Sequence, residues 1–214
     1  MNVAPPLRLM LVDDHPIVRR GVRDILLGAF PSAVIGEVSS GGSALTLLGD
    51  DRWDLVVLDL TLPDESGIDV LKRIRERQAR LPVLVLSMHA ADQFARRAIL
   101  AGASGYLTKD AADVELVNAV SRVLRGGKYF APDVLESVAL GIHPDRQSMP
   151  HDLLSDREYQ VLIGIASGKT VSELAIELAI GIKTVSTYRA RLLEKMGLRN
   201  NAELTRYAIQ NGLV

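Results

Sequence analysis

The chain has 214 residues, enough for one large or two modest domains, and its 48% hydrophobic residues suffice for real cores. With no cysteine it can form neither disulfides nor thiolate metal sites. No run reaches the ~18 apolar residues of a membrane span, and Met1 to Pro6 lack the basic start and apolar stretch of a secretory leader. A cytoplasmic protein without membrane contact is therefore expected.

Short apolar runs recur at Leu9–Val12, Val34–Val38, Leu55–Leu58, Val83–Leu86 and Gly105–Leu107. They are rich in Val, Leu and Ile and do not alternate, which predicts strands buried on both faces of a parallel sheet. Between them lie segments with helical spacing, such as Ile68, Leu71 and Ile74, or Val114, Val117, Val120 and Leu124. Pro16 can open the first helix because its missing N–H is not needed there, and Gly102 is a plausible helix stop. Alternating strands and helices predict a doubly wound α/β domain over residues 7–125, with its site at the carboxyl ends of the strands.

The polar residues at those ends define a chemistry. The first strand ends in Asp13-Asp14, the third in Asp59, the fourth in Ser87 and the fifth in Thr108-Lys109. Three carboxylates at one sheet edge repel one another unless a cation or shifted protonation relieves them. Oxygen-only ligands favour Mg²⁺, which keeps several waters and works with phosphate. A carboxylate can itself be the nucleophile of phosphoryl transfer, with an ammonium, a hydroxyl and the metal holding the phosphoryl oxygens as charge develops. Taken singly, each group reads as well as a loop cap or a surface side chain; what argues for a site is that all fall at strand ends.

The segments Leu-Val-Asp-Asp-His-Pro (11–16), Val-Val-Leu-Asp-Leu-Thr-Leu-Pro (56–63), Val-Leu-Ser-Met (85–88) and Gly-Tyr-Leu-Thr-Lys (105–109) resemble the signatures of receiver domains. The resemblance implies that Asp59 is the phospho-acceptor, and that Asp13, Asp14 and Asp59 bind Mg²⁺ with the backbone carbonyl of Thr61. It implies that Lys109 and Ser87 contact the phosphoryl group and that Tyr106 is the aromatic residue that moves inward with the serine. Thr61 and His89, two residues after Asp59 and Ser87, are expected to tune the lifetime of the phosphate. Asp110 stands where many receivers have proline, so the cis peptide of those relatives is not expected here. An Asp-x-Thr after a strand is also similar to the aspartyl-phosphate motif of haloacid-dehalogenase-type phosphatases. Those enzymes require a second Asp where Thr61 stands.

Gly126-Gly127 should end the last helix of this domain. Residues 126–150 are expected to form a linker with a short helix over Pro132 to Leu140, opened by proline, and a flexible remainder to Pro150.

From His151 onward, capping patterns mark four helices. Ser155-Asp156-Arg157-Glu158 and Thr170-Val171-Ser172-Glu173 are capping boxes. Gly168 stops the first of these helices, and the second runs to Leu178. Gly181 can cap a third helix that runs to Met196 and stops at Gly197, while Asn200 with Glu203 caps a fourth. The short turn Ala179–Ile182 is what a helix-turn-helix requires. The formal net charge of −1 hides an uneven distribution: Lys183, Arg189, Arg191, Lys195 and Arg199 face Glu194 alone between positions 183 and 199. On the third helix Val185, Leu192 and Met196 should pack inward with Tyr188 beside them. Ser186, Thr187, Ala190 and Arg191 then form the outer face that meets base edges, and Lys183, Arg189 and Lys195 lie toward phosphates. A bundle with a solvated basic helix would carry the same pattern.

Leu-Ser-Asp-Arg-Glu (154–158), Ala-Ser-Gly-Lys-Thr (166–170), Glu-Leu-Ala (173–175), Lys-Thr-Val-Ser-Thr-Tyr (183–188) and Leu-Leu-Glu-Lys-Met-Gly (192–197) resemble a LuxR-type helix-turn-helix domain, here over residues 151–214. A receiver followed by this domain is the NarL/FixJ architecture. It implies a response regulator phosphorylated by a sensor histidine kinase, bound as a homodimer to inverted repeats in double-stranded DNA, and controlling transcription with RNA polymerase as a further partner. Dimerisation is expected through the last helix, where Ala202, Leu204, Tyr207 and Ala208 would offer apolar surface.

Overall fold

The computed structural model describes residues 5–50, 52–88, 91–130, 135 and 149–214, and the chain divides into two compact units, Met1–Ile142 and His143–Val214. The first unit alternates strands and helices. They are β1 (Arg8–Val12), α1 (Pro16–Ala29), β2 (Val34–Val38), α2 (Gly41–Asp50), β3 (Leu55–Asp59), α3 (Gly67–Arg77), β4 (Val83–Ser87), α4 (Ala91–Leu100), β5 (Gly105–Thr108) and α5 (Ala112–Leu124). The five strands form one parallel sheet in the order β2-β1-β3-β4-β5.

Burial follows the order of the strands. Every residue of β3 and β4 is buried, as expected of central strands covered on both faces, while edge strand β2 is half exposed. One core layer joins Leu9, Leu11, Leu55, Val57, Leu84 and Leu86 to Val22 and Leu26 of α1 and to α5. The inward stripe of α5 is Ala112, Leu116, Ala119, Val120 and Val123. That corrects the Val114, Val117, Val120, Leu124 spacing: Val114 is 75% exposed, because it lies about 200° around the helix from Leu116. Pro16 occupies the first turn of α1, and Gly102 and Gly126 take positive φ at the ends of α4 and α5. The described peptide bonds, Lys109–Asp110 among them, are all trans.

Among the described residues, the second unit starts with a 3₁₀ turn (Pro150–Leu153). Four helices follow: α6 (Asp156–Ala166), α7 (Val171–Glu177), α8 (Ile182–Met196) and α9 (Asn201–Gln210). Both capping boxes are complete, with Ser155 paired to Glu158 and Thr170 to Glu173, and Asn200 accepts from the Glu203 N–H. Gly181 caps α8, and Gly197, at φ 65°, ends it in the left-handed region. Between α7 and α8, Ala179 takes φ 51° without being glycine, a strain of roughly 1–2 kcal/mol that the surrounding turn must impose. The short helix expected over 132–140 lies, apart from Leu135, outside the described residues. Among the described residues, no helix is long and apolar enough to cross a membrane.

Candidate functional site

The carboxyl ends of β1, β3, β4 and β5 bring together most of the residues singled out in the first unit. Asp13 ends the β1 segment at 6% exposure and Asp59 ends β3 at 2%. The Lys109 ammonium, itself buried, bridges them: its Nζ lies 2.7 Å from Asp59 Oδ2 and 2.8 Å from Asp13 Oδ2. The remaining oxygens are held by the backbone. Asp59 Oδ1 accepts from the Thr61 N–H at 3.2 Å, and Asp13 Oδ1 accepts from the His15 N–H at 2.8 Å.

Ligand atoms of Asp13, Asp14, His15 and Asp59 all lie within 4.8 Å of one another. Asp14 Oδ1 is closed off from solvent, and the His15 ring faces it with Nδ1 2.8 Å away. A shielded carboxylate oxygen beside two other carboxylates is the donor set a hard cation takes. His15 carries little signal in the sequence beyond directly following the acidic pair.

Burial pushes the Asp59 carboxyl up to about 6; the Lys109 charge opposes this and the Asp13 charge adds to it. Burial alone would lower Lys109. Attraction to Asp59 and hydrogen bonds to Asp13 and Asp59 outweigh it and hold the ammonium above its ordinary value. Ser87 is fully buried at the end of β4, opposite Thr108 of β5. Tyr106 is turned inward at 5% exposure. Burial raises its hydroxyl far above the usual tyrosine range; a hydrogen bond with Ser87 opposes the shift and the Asp59 charge reinforces it.

The loop after β3 is held by groups that carry no signal of their own along the chain. A Cβ on Gly67 would stand 2.2 Å from the Asp59 carbonyl oxygen and 2.6 Å from Leu60 Cα, so only glycine lets α3 start against the end of β3. Asp64 accepts from the Gly41 and Gly42 N–H groups at 2.9 and 2.8 Å, tying this loop to the start of α2. Arg19 of α1 donates from Nη1 to the Asp13 carbonyl at 2.6 Å. His89 lies outside the described residues.

In the second unit, α7, the turn at Ala179 and α8 form a helix-turn-helix. Val185, Leu192, Leu193 and Met196 of α8 are buried and Tyr188 is partly buried, while Lys183, Ser186, Thr187, Ala190 and Arg191 are exposed. Ser186 and Thr187 donate their hydroxyl protons to the Ile182 and Lys183 carbonyls, both at 2.9 Å, leaving their oxygen lone pairs outward. Two cations of the expected phosphate-facing set have partners in the domain. Arg189 Nε donates to Asn201 Oδ1 at 2.6 Å, and Lys195 Nζ lies 2.7 Å from Glu158 Oε2. The apolar surface expected on α9 needs correction: Leu204 and Ala208 are fully buried, because they sit on the face that packs into the domain's own core. The exposed apolar side chains of α9 are Ala202 and Ile209.

A buried lysine bridging two carboxylates at the end of a parallel sheet, followed along the chain by a helix-turn-helix, points to a two-domain signalling regulator. Residues 9–121 match the response regulator receiver domain, and residues 152–208 match the luxR family of bacterial regulatory proteins. The chain belongs to the DNA-binding response regulators of two-component systems. It is 35% identical to the response regulator UvrY of Escherichia coli (strain K12) over 208 residues, 97% of this chain and 95% of that protein. Among solved structures it resembles a LuxR-family two-component response regulator from Aurantimonas sp. SI85-9A1, at 39% identity and TM-score 0.58 over 64% of this chain and 98% of that one. It also resembles RcsB from Salmonella enterica serovar Typhimurium bound to promoter rprA in the presence of the phosphomimetic BeF3-. That match has 25% identity and TM-score 0.62 over 95% of this chain and 98% of that one. A receiver implies a histidine kinase as partner, and a luxR-type helix-turn-helix binds DNA.

Proposed function

We propose that Asp59 accepts a phosphoryl group from a phosphohistidine of the sensor kinase, and that this controls pairing of the second domain on inverted-repeat DNA. The observation that carries the reading is the Lys109 ammonium bridging Asp59 and Asp13, with the Asp14 carboxylate beside them. With its carboxyl at about 6, Asp59 is mostly ionised at neutral pH and can act as nucleophile. Its oxygen forms the new P–O bond as the P–N bond to the imidazole breaks; the imidazole leaves with the electron pair and takes a proton from water. Asp13 and Asp14 adjoin one another at one strand end and serve as ligands instead. The oxygens of Asp13, Asp14 and Asp59, with the Thr61 carbonyl, suit Mg²⁺, which when bound supplies charge neutralisation for the phosphoryl oxygens. Lys109 and the Ser87 hydroxyl receive those oxygens, and Thr61 borders the water that later hydrolyses the aspartyl-phosphate. The receiver thus catalyses only its own phosphorylation and dephosphorylation.

In the second domain, Ser186, Thr187 and Ala190, joined by Arg191, read base edges, and Lys183 and Arg189 meet phosphates. Lys195, expected to meet a phosphate as well, is assigned instead to holding the buried Glu158. Ser87 turning from Tyr106 toward the phosphoryl group shifts the balance between two states of the receiver. Phosphorylation favours the state in which the second domain pairs on DNA. Only a small bias is needed, since ~1.4 kcal/mol is tenfold in population. The reading places the protein in the cytoplasm, acting on RNA polymerase at promoters.

Intact protein treated with acetyl phosphate and Mg²⁺ should gain one phosphoryl mass and bind inverted-repeat DNA more tightly, and Asp59→Asn should do neither. Full labelling of Asp59→Asn, or equal DNA affinity with phosphorylation confirmed by mass, would overturn the proposal.

A further inference from the structure

β5 ends the sheet, so its outer edge should present unpaired backbone groups. The chain that leaves α5 takes up part of that edge. Tyr129 pairs with Gly105 in a one-residue parallel bridge. The Tyr106 N–H donates to the Tyr129 carbonyl at 2.8 Å, and the Tyr129 N–H donates to the Ser104 carbonyl at 3.1 Å. Gly105 makes the approach feasible: a Cβ there would stand 2.9 Å from the Tyr129 carbonyl oxygen and 2.7 Å from Leu84 Cδ1.

Side chains hold the bridge in place. The Tyr129 hydroxyl donates to Glu115 Oε2 on α5 at 2.8 Å, and its ring packs against the core layer shared by α1 and α5. Lys128 Nζ donates to the Ala103 carbonyl at 3.1 Å. Burial raises the Tyr129 hydroxyl above its ordinary range, and the bond to Glu115 and its charge add to this.

Tyr106 is therefore bonded at two ends. Its side chain is hydrogen-bonded with Ser87 beside Asp59, and its backbone N–H holds the first residues beyond α5. A change in the Ser87–Tyr106 pair that moves the Tyr106 backbone must strain or release the Tyr129 bridge. We propose that Tyr129, fixed to Glu115, is the positioning residue through which the Ser87–Tyr106 pair acts on the chain leaving the receiver. This rests on the reading that phosphorylation of Asp59 controls DNA binding. Tyr129 touches neither Asp59 nor Lys109 in the described contacts, so it acts on the output and not on the phosphoryl transfer itself.

The test compares intact wild type, Tyr129→Phe, Glu115→Ala and Glu115→Gln, each with and without acetyl phosphate and Mg²⁺. Labelling is read by intact mass, DNA affinity by titration, and the bridge by hydrogen exchange at the Tyr106 and Tyr129 amides. All four proteins should label fully. In wild type the two amides should change exchange rate together on phosphorylation. Tyr129→Phe and Glu115→Ala should exchange faster at Tyr129 already without phosphate, and their ratio of DNA affinities with and without phosphate should fall toward one. Glu115→Gln keeps an acceptor and should retain the wild-type ratio. Fully labelled Tyr129→Phe and Glu115→Ala with the wild-type affinity ratio would overturn the proposal while leaving phosphorylation control intact. A wild-type protein that labels without any change in DNA affinity would remove that control, and this proposal with it.

Discussion

Replacing Lys195 by methionine removes the cation beside Glu158 while keeping an apolar stem of similar length. Glu158 Oε2 accepts from the Ser155 N–H at 2.8 Å and from the Lys195 ammonium at 2.7 Å; the Glu158 side chain is 4% exposed and that of Lys195 42%. Removing one partner of a buried pair costs about 3–5 kcal/mol, while exposed pairs are worth about 0–1 kcal/mol. With one partner buried and the other well exposed, a loss of about 1.5–3 kcal/mol is expected. Glu158→Gln keeps an acceptor for the Ser155 N–H, so the double variant Glu158→Gln/Lys195→Met should recover part of the loss. A double-mutant cycle should give a coupling of about 1–2 kcal/mol.

The single tryptophan, Trp53, lies in the receiver, so its fluorescence serves as an internal control in urea unfolding. Far-UV circular dichroism also follows helices α6 to α9. The pH dependence has a definite sign. Burial would raise the Glu158 carboxyl, but the bonds from Lys195 and Ser155 outweigh it and hold it below its usual value. Such a group stabilises the fold above its unfolded pKa, and that contribution is lost as pH falls through the folded value. The gap between wild type and Lys195→Met should therefore narrow as the pH drops through the carboxylate range. In DNA titrations at several salt concentrations the variant should keep the wild-type slope. Unchanged unfolding together with a slope flatter by about one charge would make Lys195 a phosphate contact and not the partner that stabilises Glu158.

Gly67→Ala forces a Cβ onto the Asp59 and Leu60 backbone. It should cost about 1–3 kcal/mol in the Trp53 unfolding transition and slow labelling by acetyl phosphate; wild-type labelling would show that the loop yields freely. Thr61→Ala should still label at Asp59 but lose its phosphate at a different rate, measured as decay of the phosphorylated mass; identical decay would remove Thr61 from the path of the water. Thr187→Ala should narrow the difference in affinity between selected and random DNA while leaving the salt slope as in wild type. An equal loss on both DNAs would assign Thr187 to packing instead of base reading.

Much of this protein is legible along the chain, because the relevant physics is local. Strand placement follows from runs of Val, Leu and Ile that only a sheet covered on both faces can bury. The helix ends of the second domain follow from caps, because a Ser or Thr and a Glu three residues on satisfy each other's backbone groups wherever the pair occurs. Asp13, Asp14, Asp59, Ser87 and Lys109 were legible as a set because each terminates a strand, and strand ends of one parallel sheet share an edge. Other features needed tertiary structure, because they depend on which face or neighbour a residue meets. Helical spacing on α5 admitted a stripe through Val114 as well as one through Leu116, and packing against α1 and the sheet selected the second. Leu204 and Ala208 are apolar whether they face a partner or their own core, and only the fold turns them inward. The pairing of Lys195 with Glu158 spans 37 residues, and the bridge from Tyr129 to Gly105 joins chain segments separated by a whole helix. Contacts of that range leave no periodic trace in a sequence, since they are set by the path of the backbone between the two residues.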